Sequence, residues 1–174
     1  SAASDVYKRQ DEVGVVGVAG STITLNGNIT TDADGDVTLT GPVELATGNI
    51  TIDTSSASSG DGGNVSLTST LNSKSGQTRG LTITTKAGTV SIGGIVGDTV
   101  AVGALSINTN GTDTGTITLN GIGDGSPALG SGAATIGNTS TGGMTLNGDF
   151  YDTGAATYST CLLYTSDAAD DLVC

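Results

Sequence analysis

Short triplets of an apolar residue, a Thr or Ser and a second apolar residue recur along most of the chain. Side chains alternate between the two faces of a β-strand, so the outer pair of each triplet faces one side and the hydroxyl faces the other. Each triplet therefore predicts a short, half-buried strand. The triplets begin at Ile23, Val37, Ile50, Val65, Leu81, Val90, Leu105, Ile117 and Met144, with a weaker tenth at Ala134.

The triplets alternate in kind and recur at a nearly constant interval. Those from Val37 to Met144 that are followed by a corner and a further apolar residue are spaced by 28, 25, 27 and 27 residues. The intervening triplets, from Ile23 to Ala134, are spaced by 27, 31, 24 and 29 residues. A period near 27 with two or three strands is typical of a solenoid in which each repeat covers the next. The sequence therefore predicts an all-β fold, a parallel β-solenoid of about five coils.

An antiparallel β-sandwich is the alternative fold, because Asn-Gly between β-formers is also a hairpin signal. Two features argue against it. The triplets contain no aromatic residue to fill the ~10 Å between packed sheets, and each strand has only one inward pair. The longer gaps, Thr54 to Gly63, Asn72 to Arg79 and Gly123 to Gly132, are predicted to be surface loops.

The two ends of the chain form an inverted repeat at the level of the genetic code. Residues 1–10, SAASDVYKRQ, can be encoded by DNA whose opposite strand, shifted by one base, encodes CLLYTSDAA and then Asp or Glu; residues 161–170 read CLLYTSDAAD. The repeat resembles a transposon-end adapter of sequencing libraries. We therefore interpret residues 1–10 and 161–174 as adapter-derived and residues 11–160 as a single β-solenoid fragment. We expect both ends to be irregular or loosely attached, because neither continues the period.

The net charge and the short apolar runs argue against two classes of function, nucleic-acid binding and membrane insertion. Seventeen acidic and five basic residues give a net charge of −12, which would repel phosphate backbones and anionic lipids. Apolar runs such as Val13 to Val18 fall well short of the roughly 20 residues that cross a bilayer. Neither nucleic-acid binding nor membrane insertion is expected. Both cysteines, Cys161 and Cys174, lie in the adapter-like tail, so they do not indicate a redox compartment.

Three segments carry a resemblance to a known family: TGNITIDTSSASSGDGGNVSLTS (47–69), LTITTKAGTVSIGGIVGDTVAVGALSIN (81–108) and YDTGAATY (151–158). Over most of Ser21 to Thr160 the chain resembles the β-helical passenger regions of filamentous haemagglutinin-like adhesins and related giant autotransporters of Gram-negative bacteria. The resemblance implies a right-handed parallel β-helix, exported through an outer-membrane secretion partner to the cell surface. There it would act as a non-catalytic rod that presents loops to a glycan or protein of a host or neighbouring cell, or that holds a distal adhesive tip.

Asp32, Asp34 and Asp36 stand at alternate positions, as at the start of a calcium-binding loop. The match fails further on, because Val37 occupies the position of the required Gly and Val43 that of the required Glu. A solvated acidic corner is favoured, and weak calcium binding stays open. We expect no metal site, no cofactor and no catalytic residue.

An enzyme that cleaves polysaccharides is one alternative function, since such enzymes also use parallel β-helices. This chemistry needs clustered carboxylates, or a basic residue beside a charge-neutralising group. The chain has no His, and its candidates are Lys74, Arg79, Lys86, Asp53 and Asp61. Solvated loop charges are the favoured interpretation.

A second alternative is an ice-binding array built from Thr-x-Thr pairs. The pairs are Thr22 with Thr24, Thr38 with Thr40, Thr82 with Thr84, and Thr116 with Thr118. Ser66, Ser91 and Ser106 at equivalent outward positions would interrupt such an array, and Thr is a good exposed β-residue in any case.

Two further groups of residues have open roles. Five Asn-x-Ser/Thr glycosylation sequons begin at Asn28, Asn49, Asn64, Asn110 and Asn138, a number that chance can supply in a chain this rich in Asn, Ser and Thr. Phe150, Tyr151 and Tyr158 are the aromatic residues outside the adapter-like ends, and they either stack on a sugar or close the last coil.

Overall fold

A computed structural model describes residues 4–7, 10–31, 35–55, 62–109, 115–125, 129–139, 141–160, 162–165 and 172–173. Among these residues all the regular elements are short β-strands. They are β1 (Ser4–Tyr7), β2 (Gln10–Val13), β3 (Val16–Ala19), β4 (Thr22–Leu25), β5 (Ile29–Thr31), β6 (Val37–Thr40), β7 (Val43–Leu45), β8 (Ile50–Asp53), β9 (Val65–Leu67), β10 (Leu71–Ser73), β11 (Leu81–Thr85), β12 (Val90–Ile92), β13 (Leu105–Thr109), β14 (Thr116–Leu119), β15 (Ala134–Gly137), β16 (Gly143–Leu146), β17 (Ala156–Ser159), β18 (Leu162–Thr165) and β19 (Leu172–Val173). No helix in the described part of the chain is long and apolar enough to span a membrane.

The strands form three sheets that the chain visits in turn. Sheet I holds β1, β4, β7 and β10; sheet II holds β2, β5, β8, β11, β13, β15 and β17; sheet III holds β3, β6, β9, β12, β14, β16, β18 and β19. Strands within a sheet pair in parallel, apart from the antiparallel β18–β19 pair. Parallel neighbours need crossover connections, which the other two sides of each coil supply. The predicted all-β solenoid of about five turns is therefore confirmed, and the antiparallel sandwich is wrong.

The strand register confirms the predicted period in sheet III. Val37 pairs with Val65, Val65 with Val90, Val90 with Ile117, and Ile117 with Met144, which reproduces the spacings of 28, 25, 27 and 27 residues. In sheet II, Ile50, Leu81, Leu105 and Ala134 align in the same way.

One assignment in the second series of triplets is wrong. Ile23 pairs with Val43 in sheet I, whereas Ile29 occupies the sheet II position beside Ile52. The first coils are shorter than the later ones: Val16 and Val37 are 21 residues apart. Because this coil is short, the Ile23 triplet forms a strand of sheet I, the side that comes before sheet II along the chain.

The inward and outward assignment of the triplets is confirmed almost throughout. Their outer members are at most 2% exposed, except Leu146, which is half-buried. Stacked Ile, Leu and Val side chains from all three sheets thus form one apolar core. Each fully buried side chain of this kind contributes roughly 1.5–3 kcal/mol to folding.

The third side of the later coils narrows to single bridging residues. Leu71 pairs with Val96, Val96 with Ile122, and Ile122 with Tyr151. The apolar residues predicted after the corners therefore line this side, except at the last corner, where Tyr151 takes the position expected for Phe150. The last corner differs, because two residues separate Leu119 from Ile122 whereas four separate Leu146 from Tyr151.

Buried threonines and close-packed glycines mark the corner between sheets II and III. Thr31 Oγ1 donates to the carbonyl of Gly35 at 2.7 Å, and Thr54 Oγ1 donates to that of Gly63 at 2.7 Å. The glycines stack closely enough that a Cβ on Gly63 would overlap the backbone of Gly35. Between these fixed points the connecting segments vary in length, from three residues to eight in these two coils. The corner thus admits loops of different size without changing the coil.

The expectation that both ends are irregular is wrong for the described residues. Ser4–Tyr7 pairs in parallel register with Thr22–Leu25, and Leu162–Thr165 continues sheet III beside β16. The backbone of a terminal coil offers an unpaired row of N–H and C=O groups, which accepts a further strand of widely varying sequence. Strand pairing at the ends does not bear on the adapter interpretation.

Candidate functional site

The predicted acidic corner is only partly described. Asp32 and Asp34 lie outside the described residues. The carboxylate of Asp36 accepts hydrogen bonds from the backbone N–H of Asn64 at 2.7 Å and from its side-chain amide at 3.1 Å. Asp36 therefore links one coil to the next. Within the described part of the chain, no group of three or more metal-ligating side chains occurs.

The residues considered for polysaccharide cleavage lie at two different corners. Asp53 is the last residue of β8 and Lys86 directly follows β11, both in sheet II, whereas Lys74 and Arg79 lie in the connection from sheet I to sheet II. The Asp53 carboxylate accepts hydrogen bonds from the backbone N–H and hydroxyl of Ser55, at 2.8 and 2.6 Å. The Arg79 guanidinium donates to the Gln77 amide. Asp61 lies outside the described residues.

The four Thr-x-Thr pairs are distributed over all three sheets. Thr22 and Thr24 belong to sheet I, Thr82 and Thr84 to sheet II, and the remaining two pairs to sheet III. Outward hydroxyls stack coil after coil in two columns: Thr38, Ser66, Ser91, Thr118 and Thr145 in sheet III, and Thr51, Thr82, Ser106, Thr135 and Thr157 in sheet II. Beside the sheet III column Thr116 faces Gly143, so the Thr-x-Thr pairs of that sheet do not stack on one another.

Three of the sequon asparagines hold neighbouring coils together. The Oδ1 atoms of Asn28, Asn49 and Asn64 accept backbone N–H groups of Thr51, Gly80 and Thr89, at 2.9, 2.8 and 2.8 Å. Asn138 donates to the Asn108 amide. Asn110 lies outside the described residues. The Asn residues recur at these corners because each satisfies a backbone donor of the next coil.

A cleft of about 270 Å³ opens at the corner between sheets III and I, near the end of the solenoid. Polar side chains of Asn120, Asp124, Asn147 and Asp149 line it, together with Ile95 and the ring of Phe150. Asp124, Asn147, Asp149 and Phe150 are all exposed. The cleft therefore joins an apolar ring to amides and carboxylates in one concave surface.

The cleft results from the two extra residues in the last corner. Tyr151 continues the third side in place of Phe150, which is 48% exposed; the predicted apolar position was therefore one residue too early. The carbonyl of Phe150 still accepts the backbone N–H of Ile122 at 2.9 Å, whereas the side chains of Asp149 and Phe150 are exposed. A Cβ on Gly125 would lie 2.9 Å from Phe150 Cε1, so the ring lies directly over this glycine.

Tyr151 holds the base of the cleft in place. Its hydroxyl donates to the carbonyl of Leu119 at 3.1 Å and accepts the backbone N–H of Gly148 at 3.1 Å. The ring of Tyr158 packs edge-on against Tyr151, with ring centroids 6.4 Å apart. Of the three aromatics, Tyr151 and Tyr158 thus pack against the end of the core, whereas Phe150 is exposed and lines the cleft.

The amides of the cleft have fixed orientations. Asn120 Nδ2 donates to the carbonyl of Gly93 at 2.8 Å, and Asn147 Nδ2 donates to Asn120 Oδ1 at 3.3 Å. On the other side, Asp152 accepts the backbone N–H of Gly125 at 2.8 Å. The sequence did not single out Asp124 or Asp149 as site residues. The longer last corner was a signal for Asp149, and it is recognisable only once Tyr151 is known to pair with Ile122.

Comparisons with protein-family models, with curated proteins and with solved structures find no match to this chain. The structure therefore shows the parallel β-solenoid fold, and the comparisons assign the chain to no family.

Proposed function

We propose that this chain is a non-catalytic rod segment of a large exported bacterial adhesin of the filamentous haemagglutinin type. The segment acts outside the cell, at the bacterial surface, and carries loops that contact a glycan or protein of a host or neighbouring cell. An outer-membrane secretion partner exports it.

One observation carries this proposal. The corner between sheets II and III keeps the same buried Thr and stacked Gly while the connecting loops change in length and sequence. In the coil of Thr85, whose hydroxyl donates to the Gly88 carbonyl at 3.0 Å, only two residues connect these anchors. Coils of constant structure with loops of variable length suit a protein whose coils form an extended rod and whose loops bind other molecules.

Attachment assays test the proposal. Beads coated with the chain should attach to epithelial or bacterial cells, whereas beads coated with albumin should not. In the matched variant, residues 55–62 are replaced by the Lys86-Ala87 connection, since both connections join the same Thr and Gly anchors. We expect this variant to keep the β-type circular dichroism of the parent chain and to lose part of its attachment.

Two results would overturn the proposal. The first is attachment no greater than that of albumin on all cells tried. The second is an activity of another class, such as release of reducing ends from polysaccharides or arrest of ice growth.

A further inference from the structure

We infer that the cleft beside Phe150 binds one pyranose ring of a neutral or amino sugar. The inference rests on the proposed function and names the ligand class of one site on the rod.

The exposed ring of Phe150 is the first reason. Phe150 and Val15 are the large hydrophobic side chains that stand exposed in the described part of the chain, and Phe150 is the aromatic one. An aromatic face left in water loses the free energy that its burial would give. The C–H face of a pyranose is a suitable partner, because it is apolar while the rim of the sugar carries the hydroxyls.

The polar side chains of the cleft are the second reason. The carboxylates of Asp124 and Asp149 accept hydrogen bonds, and the amides of Asn120 and Asn147 can both donate and accept. Vicinal sugar hydroxyls need this mixture, because each hydroxyl donates one hydrogen bond and accepts others. The hydrogen bonds that hold Asn120 and Asn147 reduce the ordering that binding requires.

The floor of the cleft is preorganised as well. Gly121 and Gly123, which line the cleft, and the nearby Gly125 have φ values of 127, 75 and 87°, in the left-handed region that favours glycine. This backbone path brings Gly125 under the ring of Phe150 and within hydrogen-bond distance of Asp152. The ring and the polar groups are therefore held on backbone that is tied to the coil.

Size and charge define the ligand further. A cleft of about 270 Å³ is smaller than most small-molecule pockets, so it suits one sugar ring with the rest of a glycan in solvent. Two carboxylates in the cleft and a net charge of −12 oppose an anionic sugar such as a uronate. A neutral hexose or a hexosamine is small enough for the cleft and carries no negative charge.

Binding of simple sugars tests the inference directly. Methyl glucoside, methyl galactoside, methyl mannoside, glucosamine and glucuronate would be titrated against the full chain by NMR or calorimetry. We expect saturable binding of at least one neutral or amino sugar, with a Kd of roughly 1 mM for a single ring, and much weaker binding of glucuronate.

Variants locate the site. Phe150→Ala should weaken binding by about tenfold or more, and Phe150→Tyr should preserve it, because the loss of the stacking face is what matters. Val15→Ala is the matched control, since it removes another exposed hydrophobic side chain at the far end of the rod. Circular dichroism confirms that each variant is folded.

The outcomes separate the inference from the proposed function. The inference is overturned by absence of saturable binding, by equal effects of Phe150→Ala and Val15→Ala, or by glucuronate binding as tightly as the neutral sugars. If beads attach to cells equally well with and without Phe150→Ala and no sugar binds, the inference fails while the rod function stands. If sugars bind at Phe150 but coated beads attach to no cell, the inference holds and the proposed adhesive function fails.

Discussion

The hydroxyl oxygens of Thr109 and Thr141 lie 2.7 Å apart, fully buried, although 32 residues separate them in the chain. Thr141 Oγ1 also accepts the backbone N–H of Asn138 at 2.9 Å. Thr31, Thr54 and Thr85, at the equivalent corner of earlier coils, donate instead to glycine carbonyls. The hydroxyl of the inward Thr is thus hydrogen-bonded within its own coil at Thr31, Thr54 and Thr85, and to the next coil at Thr109.

Substitution of the two threonines should give unequal losses. Thr109→Val removes one hydrogen bond and should lower the free energy of unfolding by about 1 kcal/mol, whereas Thr141→Val removes two and should cost about 2 kcal/mol. Urea denaturation measures both, and the double variant should cost less than the sum because the shared bond is counted once. Additive losses would contradict the bond between them.

The triplet strands were predictable from the sequence, because alternating apolar and hydroxyl residues allow a strand to bury one face in the core and expose the other to water. Ile29–Thr31 was missed for a related reason: Ile29-Thr30-Thr31 places Thr31 at an inward position, where the triplet rule expects an apolar side chain. The hydrogen bond from Thr31 to Gly35 is what makes this burial tolerable. No local sequence pattern distinguishes an inward Thr from an outward one.

The glycine stack has its own signal in the sequence, separate from the triplets. Glycine stands two residues before the sheet III triplets at Val37, Val65, Val90, Ile117 and Met144. The cleft beside Phe150, by contrast, depends on comparing corner lengths between coils. That comparison requires the pairing of Ile122 with Tyr151 rather than with Phe150, which only the structure supplies.

Adding a methyl group within the glycine stack should separate two coils. A Cβ on Gly88 would overlap the carbonyl oxygen of Gly63, a backbone atom that cannot turn away as a side chain would. Gly88→Ala should therefore lower the free energy of unfolding by about 1–3 kcal/mol. Gly48→Ala is the control, because nothing lies within 4 Å of its Cβ position, and it should change stability by about 0.5 kcal/mol or less. Equal effects in urea denaturation would argue against the stack.

Substitutions at the neighbouring positions Thr118 and Leu119 of β14 should differ sharply in their effect on stability. Leu119 is 0% exposed and lies in register between Ile92 and Leu146, so Leu119→Asp places a charge in the apolar core. We expect a loss of several kcal/mol, enough to unfold a chain of ordinary stability. Thr118→Val changes only an outward hydroxyl and should cost roughly 0.5 kcal/mol or less. Circular dichroism and urea denaturation compare the two, and equal costs would contradict the inward and outward assignment.

Calcium should have little effect on the fold. The Asp36 carboxylate already accepts two hydrogen bonds from Asn64, which hold it between two coils. Millimolar calcium should therefore shift Tm by less than about 1 °C in a thermal scan followed by circular dichroism. A Tm that rises steadily with calcium concentration, as binding to the folded state requires, would show a metal site.

The two tyrosines at the end of the core make stability depend on pH only in the alkaline range. Desolvation raises the pKa of Tyr151 from its ordinary value of 10.0, although the hydrogen bond from Gly148 opposes this. Desolvation, and next the charge of Tyr151, raise the pKa of Tyr158. Because both phenols have a higher pKa when folded than when unfolded, their contribution is fully present below pH 10 and is lost as pH rises further. Urea denaturation between pH 7 and about 11 should show this fall.

Phenylalanine variants separate the two tyrosines. The Tyr158 hydroxyl is buried and has no hydrogen-bond partner among the described residues, so Tyr158→Phe should leave stability at pH 7 unchanged or raise it by up to about 1 kcal/mol. Tyr151→Phe removes the bonds to Leu119 and Gly148 and should cost about 1–2 kcal/mol at pH 7. Each variant should also lessen the alkaline loss, because one phenol fewer ionises on unfolding. If Tyr158→Phe destabilised the protein as much as Tyr151→Phe at pH 7, the Tyr158 hydroxyl would have a partner, contrary to the structure.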